Sequence, residues 1–292
     1  MTVTTPSPGR LAQIACIFEA SARKPGNVHR LRDFSTLSYL DFLLSAAMIA
    51  EPLDRAWSHG IGQAALDAVR ETRKVVDTNT NLGMILLLAP LAAVSVPVDL
   101  RQGVKTVLKA ASVHDARLVY EAIRLAEPGG LGHAPEQDVR GEPTLTLVEV
   151  MRLAADRDLV ARQYVNGFAE VFDLALPALR CGLEQGLGLE GSIIHAHLSV
   201  LAERPDSLIE RKCGAKTAAE ASRRAGLLLA GPWPREGLST LGSLDAFLTA
   251  DGNARNPGTT ADLVTAAIFA GLRDGLIPLP RDRGPAAWYG PA

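Results

Sequence analysis

Apolar residues recur along most of this chain at intervals of three and four, the period of a helix that buries one stripe. Leu11, Ile14, Ala15, Phe18 and Ala22 form the first such stripe, over residues 11–22. Residues 35–50 predict a second helix, with Leu37, Leu40, Leu44, Ala47 and Met48 on its buried face. Residues 60–76 predict a third, whose Asp67, Arg70, Glu71, Arg73 and Lys74 turn outward as a solvated face. Residues 99–126 read as two helices broken near Ser112 and Asp115. Helical spacing resumes over 145–155 and again over 158–183, where Asn166, Gly167 and Phe168 predict a kink. Later helices are predicted over 192–203, from Ser207, over 241–248, and in an apolar run ending at Leu272. Short β-branched runs that alternate with period two are scarce. The pattern predicts an all-α fold, a single domain of roughly ten or more helices.

The breaks between these stripes are as informative as the stripes. Thr78-Asn79-Thr80-Asn81-Leu82-Gly83 precedes the apolar run from Met84 to Leu88. Thr and Asn side chains accept from the first free amides of a helix, so a helix is predicted to begin at about Leu82. Such an end carries partial positive charge and can hold a phosphate; a plain helix cap accounts for the motif equally well. A second dense start runs from Asp251 to Asp262, where Thr259 and Asp262 have capping-box spacing. Asp206 is placed to cap the helix that begins at Ser207. Lys24-Pro25-Gly26-Asn27 ends the first helix, because Pro cannot continue it and Gly-Asn makes a turn. Residues 127–143 form the longest loop, rich in Gly and Pro. Gly231-Pro232-Trp233-Pro234 predicts a rigid turn, and residues 278–292 a loose or surface-wrapping tail. The apolar run 82–98 contains Pro90 and Pro97 and is at the short limit for a membrane span, so it reads as a buried helix.

Composition narrows the function. A formal charge of −2 over 292 residues and few aromatics argue against nucleic acid as a partner. Residues 1–10 lack the apolar core of a signal peptide, and no membrane association is expected. Cys16, Cys181 and Cys213 are far apart and form no CxxC pair, which points to a reducing cytoplasm rather than a disulfide framework or zinc site. Glu19 stands out as an acid on a stripe of small residues, and Lys24, Asn27, His29 and Asp33 follow at that helix end. His29 alone reads as an ordinary surface histidine. His195 and His197, two apart, do not have the spacing of metal ligands on a helix.

Glu19, then Lys24-Pro25-Gly26-Asn27-Val28, Asp33-Phe34 and Ser45-Ala46, resembles the opening of the triphosphoribosyl-dephospho-CoA synthase family. Asn79-Thr80-Asn81-Leu82-Gly83, Asp206-Ser207 with Arg211-Lys212-Cys213-Gly214, and Pro257-Gly258-Thr259-Thr260-Ala261-Asp262-Leu263 follow in the family's order. Where the family's usual motif carries a His-Lys pair, this chain has Asn81 and Leu82. The resemblance implies an enzyme that moves the triphosphoribosyl group of ATP onto 3′-dephospho-CoA or a related coenzyme precursor, releasing adenine. It implies an oxocarbenium-like transition state and Mg²⁺ on the triphosphate. On that basis Asp33 and Asp262 are the expected metal-side carboxylates, and Glu19 the base or oxocarbenium stabiliser. Lys24, Arg211 and Lys212 are expected to take phosphate charge, with Asn27, His29, Asn79, Thr80, Asn81, Asp206, Gly258 and Thr259 at ribose and phosphate. Two other readings stand beside it. One is a phosphotransferase or nucleoside-bond hydrolase of one-carbon coenzyme biosynthesis, of the methanopterin or methanofuran type. The other is a non-catalytic helical binding protein. The Ala-rich helices suit a homodimer face and an internal core equally.

Overall fold

The structure is a computed structural model, and it describes residues 6–231, 233–277, 279 and 288. Among these residues helices carry the fold and no strand forms; His29 and Arg32 make one isolated bridge. The all-α expectation holds. The chain gathers into two compact units, each assembled from distant segments. The first holds the chain up to Ile17, Leu40–Asp156 and Val160–Phe168; the second holds Phe18–Tyr39, Arg157–Leu159 and the chain from Ala169.

Helix α1 is Pro8–Ser21 and α2 is Tyr39–Met48, followed by the short α3 (Ala50–Asp54) and α4 (Ala56–His59). Helices α5 (Ile61–Arg73), α6 (Leu82–Ala92), α7 (Leu100–Ala110), α8 (Val113–Ala126) and α9 (Leu147–Ala154) build most of the first unit, with α10 (Leu159–Asn166). Every residue of α6 except Gly83 is buried, as an all-round apolar helix requires. It ends at Ala92, and among the described residues no helix is long and apolar enough to cross a membrane. Helices α5 and α8 approach closely at Gly62, where a Cβ would lie 2.6 Å from the Asp115 Cα. The Gly62 amide also donates to Asp115 Oδ1 at 3.0 Å. Local capping sets these boundaries. Asp99 accepts from the Gln102 amide ahead of α7, and Ser112 with Asp115 forms a capping box ahead of α8.

The second predicted helix differs from its expectation. It starts at Tyr39, and its supposed core stripe faces out: Leu40 is 59 % exposed, Leu44 is 36 % exposed, and the buried residues are Ser45 and Ala46. The buried Ser45 is held by polar contacts that a count of apolar residues does not register. Ser45 donates to the Asp41 carbonyl at 2.7 Å and meets the Thr80 hydroxyl at 2.5 Å.

In the second unit, a π-helical turn (Val171–Ala175) leads into α11 (Leu176–Glu184), then α12 (Gly188–Glu203), α13 (Ser207–Cys213) and α14 (Ala215–Ala230). A 3₁₀ turn (Gly237–Leu241) precedes α15 (Gly242–Asn253), and α16 is Gly258–Arg273. The predicted kink is present, with Gly167 and Phe168 both at positive φ. Helix α12 packs on α11, α14 and α16 over a core that includes Ile194, Leu198, Leu201, Ala221 and Leu248. Helix α16 is sheathed: from Thr259 to Leu272 every residue is buried except Asp262. Pro232 of the predicted rigid turn lies outside the described residues. So does the predicted tail, except for Leu279 and Trp288, whose indole packs on Phe18 with centroids 5.7 Å apart.

Candidate functional site

Helix α1 ends at Ser21, and Lys24 turns back onto its last carbonyls. The ammonium donates to the backbone oxygens of Glu19 and of Ala22, and lies 3.1 Å from Glu19 Oε1. A cation is favoured at the negative end of a helix. Lys24 is fully buried and Glu19 is 2 % exposed. Burial raises the Glu19 pKa and lowers that of Lys24, while their mutual attraction opposes both shifts. Lys24 is therefore not the accessible phosphate ligand expected of it. Its charge is spent on closing α1 and on Glu19.

The turn that follows is tied down by two acids from far along the chain. Glu190, on α12 and 2 % exposed, takes Arg23 Nε and Nη2 at 2.9 Å each and Arg30 Nη1 and Nη2 at 2.5 and 3.0 Å. Burial works against ionisation of Glu190, but the hydrogen bonds from both arginines outweigh it and bring its pKa down to about 2. Asp245, on α15, takes the Gly26 amide at 2.9 Å and both ends of the Arg32 guanidinium at 2.5 Å. Gly26 has φ +80, and a Cβ there would lie 2.6 Å from the Leu248 Cβ, so only glycine fits. His29 is clamped in this turn. Its Nδ1 accepts from the Leu31 amide at 3.2 Å, and burial, with the Arg32 and Lys24 charges, lowers its pKa to about 4. It is neutral at pH 7. The Asn27 side chain is buried with Oδ1 unpartnered.

The second cluster forms where α13 and α16 begin. Asp206 is fully buried, and its two oxygens serve two helices. Oδ1 accepts from the amides of Leu208 and Ile209, at 2.9 and 3.1 Å. Oδ2 accepts from the Thr260 amide and hydroxyl, at 2.7 and 2.8 Å. The predicted capping box of Thr259 and Asp262 does not form, because Asp206 supplies the cap from outside. The N-cap residue of α16 is Pro257, and Thr259 accepts instead from the Ser207 hydroxyl at 3.0 Å. Asp206, Thr259 and Gly258 thus have packing roles in place of the expected substrate contacts. A Cβ on Gly258 would lie 2.7 Å from Leu208 Cδ2.

Asp262 is left without a hydrogen bond or ion pair among the described residues. Burial raises its pKa well above the carboxylate range, and the charges of Glu19, Asp206 and Asp158 push the same way against Arg211. Arg211 itself pairs with Asp158 at 2.5 Å, and Lys212 reaches Asn256 Oδ1 at 3.4 Å. Asp33 does not join this cluster. It is exposed, and its Oδ1 accepts from the Tyr39 amide at 2.6 Å, at the start of α2. No group of three or more His, Cys, Asp or Glu among the described residues is arranged to hold a metal ion.

Asn79, Thr80 and Asn81 belong to the first unit. Asn79 Oδ1 accepts from the Leu82 amide at 3.1 Å and opens α6 as predicted. Thr80 pairs with Ser45; because the single Ser45 hydrogen goes to Asp41, Thr80 is the donor of that pair. Asn81 is buried and donates to Thr72 Oγ1 at 3.2 Å, while Leu82 faces the core.

Sequence reasoning missed Glu190, Asp245 and Asp158. The legible sign was charge balance: Arg23, Arg30 and Arg32 crowd ten residues that hold no acid, so carboxylates from elsewhere had to meet them.

The chain belongs to the CitG family, ATP:dephospho-CoA triphosphoribosyl transferase, whose model matches residues 5–279. It is similar to a crystal structure of a candidate triphosphoribosyl-dephospho-CoA synthase from Archaeoglobus fulgidus, at 26 % identity and a TM-score of 0.64, covering 80 % of this chain and 99 % of that one. A search of curated proteins finds no match.

Proposed function

We propose that this protein transfers the triphosphoribosyl group of ATP to dephospho-CoA and releases adenine. Membership of the transferase family over nearly the whole chain supports the reaction. The observation that carries the site is Asp262, half-buried where its neighbours from Thr259 to Leu272 are buried, unpaired among the described residues and within the field of Glu19, Asp206 and Asp158. No observation favours the phosphotransferase, hydrolase or binding-protein readings.

In this reaction an acceptor hydroxyl oxygen bonds to the anomeric carbon of ATP. The bond from that carbon to adenine breaks, and its electron pair leaves on the base, which takes a proton from solvent to depart as neutral adenine. The hydroxyl proton passes to a carboxylate, and the ribose carries positive charge at the transition state. Glu19 was expected as the base or the oxocarbenium stabiliser, but it is buried against Lys24; we assign the proton to Asp262. Glu19 then acts through its charge, raising the proton affinity of Asp262 toward the working range of a general base. The crowd of carboxylates around Asp262 also suits a cation. Mg²⁺ is commonly held by one or two carboxylates with phosphate oxygens and water; Asp206 and Glu19 are committed to Thr260 and Lys24, so Asp158 would hold it and leave Asp262 to the proton. Bound there, it would neutralise triphosphate charge. Arg211 and Lys212 flank the same cluster and would meet phosphate. Cys16, Cys181 and Cys213 form no disulfide among the described residues, which suits a reducing cytoplasm.

The test is incubation with ATP, Mg²⁺ and dephospho-CoA. The reading requires free adenine in equal amount to a product carrying the mass of dephospho-CoA plus triphosphoribosyl. ADP as the only nucleotide product, or no adenine, would overturn it.

A further inference from the structure

A small cleft opens beside the clamped turn, between Pro25 and His29 on one side and Leu238, Leu241 and Gly242 on the other, with Asp245 and Arg23 at its edges. Its volume is about 230 Å³, below the roughly 300–1,000 Å³ of pockets that take drug-sized ligands. It has room for one ring system and not for a whole nucleotide. Pro25 and the two leucines give it apolar faces, which suit a flat heterocycle.

Its polar edge is specified by hydrogen-bond bookkeeping. The Leu31 amide donates to His29 Nδ1, so in the neutral ring Nε2 carries the proton. Nε2 has no protein partner among the described residues and is not sealed from solvent, and His29 lines the cleft, so this donor is available to it. Asp245 spends three acceptor positions, one on Gly26 and two on Arg32. A carboxylate has about four, so one remains on Oδ2. The cleft therefore pairs one donor with one acceptor on a fixed frame. Adenine carries the complement, an exocyclic amine beside a ring nitrogen that accepts.

We propose that this cleft receives the adenine ring of a nucleotide substrate, with His29 Nε2 donating to a ring nitrogen and Asp245 accepting from the exocyclic amine. The proposal rests on the transferase reading for its choice of nucleotides, and the source of the ring is either ATP or dephospho-CoA. Unsubstituted purine is held more weakly, because it has no exocyclic amine to give the Asp245 carboxylate.

The test uses free adenine and unsubstituted purine as titrants in calorimetry on the intact protein. Adenine is expected to bind, and purine at least roughly tenfold more weakly. Gly242→Leu supplies the second arm. Gly242 has helical φ −56 and ψ −39, and a Cβ there meets no atom within 4 Å, so the variant fills the cleft without backbone strain. It is expected to keep its melting temperature and to lose adenine binding. A rise in its KM for ATP alone assigns the ring to the donor; a rise for dephospho-CoA alone assigns it to the acceptor. Equal binding of the two bases, or unchanged adenine binding and unchanged KM values in a folded Gly242→Leu, would overturn the proposal. Adenine binding by a wild-type protein that releases no adenine from ATP would sink the transferase reading and leave the cleft standing.

Discussion

Two helix starts look alike in the sequence and are built differently. Asn79 to Gly83 and Pro257 to Asp262 each put turn and hydroxyl residues before an apolar helix. The first is self-contained: Asn79 caps the Leu82 amide three residues on, and Asn81 and Leu82 turn into the core. The second imports its cap, because Asp206, 54 residues from Thr260, holds the first turn of α16. The local acid is then relieved of capping duty. Asp262 stays unpaired at a place where an unpaired carboxylate is costly. A structural need met from a distance leaves a nearby side chain available for chemistry.

The sharpest break of this comparison is Asp206→Ala, which removes the caps of two helices at once. At up to roughly 2 kcal/mol per cap, the loss is about 4 kcal/mol by urea unfolding. A loss under about 1 kcal/mol, the worth of one ordinary cap, would show that α16 does not depend on the imported carboxylate.

The clamp on the turn at residues 23–32 is next, and it is tested by pH. The folded pKa of Glu190 is about 2 against 4.5 in the unfolded chain. Its contribution is therefore complete above pH 4.5 and is lost as pH falls toward 2, a swing of about 3 kcal/mol. His29 acts in a higher window. With a folded pKa of about 4 against 6.5, its neutral burial costs nothing above pH 6.5 and destabilises increasingly as pH falls toward 4. Glu190→Gln should lower stability at pH 7 and flatten the pH 4.5 to 2 limb, leaving the His29 limb in place. An unchanged acid limb would mean that the arginines do not hold the turn through Glu190.

Asn79→Ala should have the smallest effect, about 1 kcal/mol, because one helix end loses one cap. An effect as large as that of Asp206→Ala would erase the difference between the two starts.

What was legible in the sequence follows the same division. The ends of α7, α8 and α13 were readable because Asp99, Ser112 with Asp115, and Asp206 cap within three residues of themselves. The stripe of α16 was readable because its apolar period is uninterrupted except at Asp262. The buried face of α2 was not readable, since Ser45 is held inward by its hydroxyl pair with Thr80 while Leu40 and Leu44 stay exposed. The second duty of Asp206, the clamp by Glu190 and the pairing of Arg32 with Asp245 join segments 54 to 213 residues apart. Nothing in local spacing encodes such partners. Glu19 and Lys24 were both named as site residues, but their contact with each other, and the burial that withdraws Lys24 from phosphate, came only with the fold.

The most direct measurement of the central claim is adenine release by Asp262→Asn beside the wild type, with a thermal melt of each. The claim predicts equal or greater stability for the variant, since a carboxylate repelled by three others is removed. It also predicts a fall in adenine release of at least roughly 100-fold. A folded variant that releases adenine at the wild-type rate would contradict it.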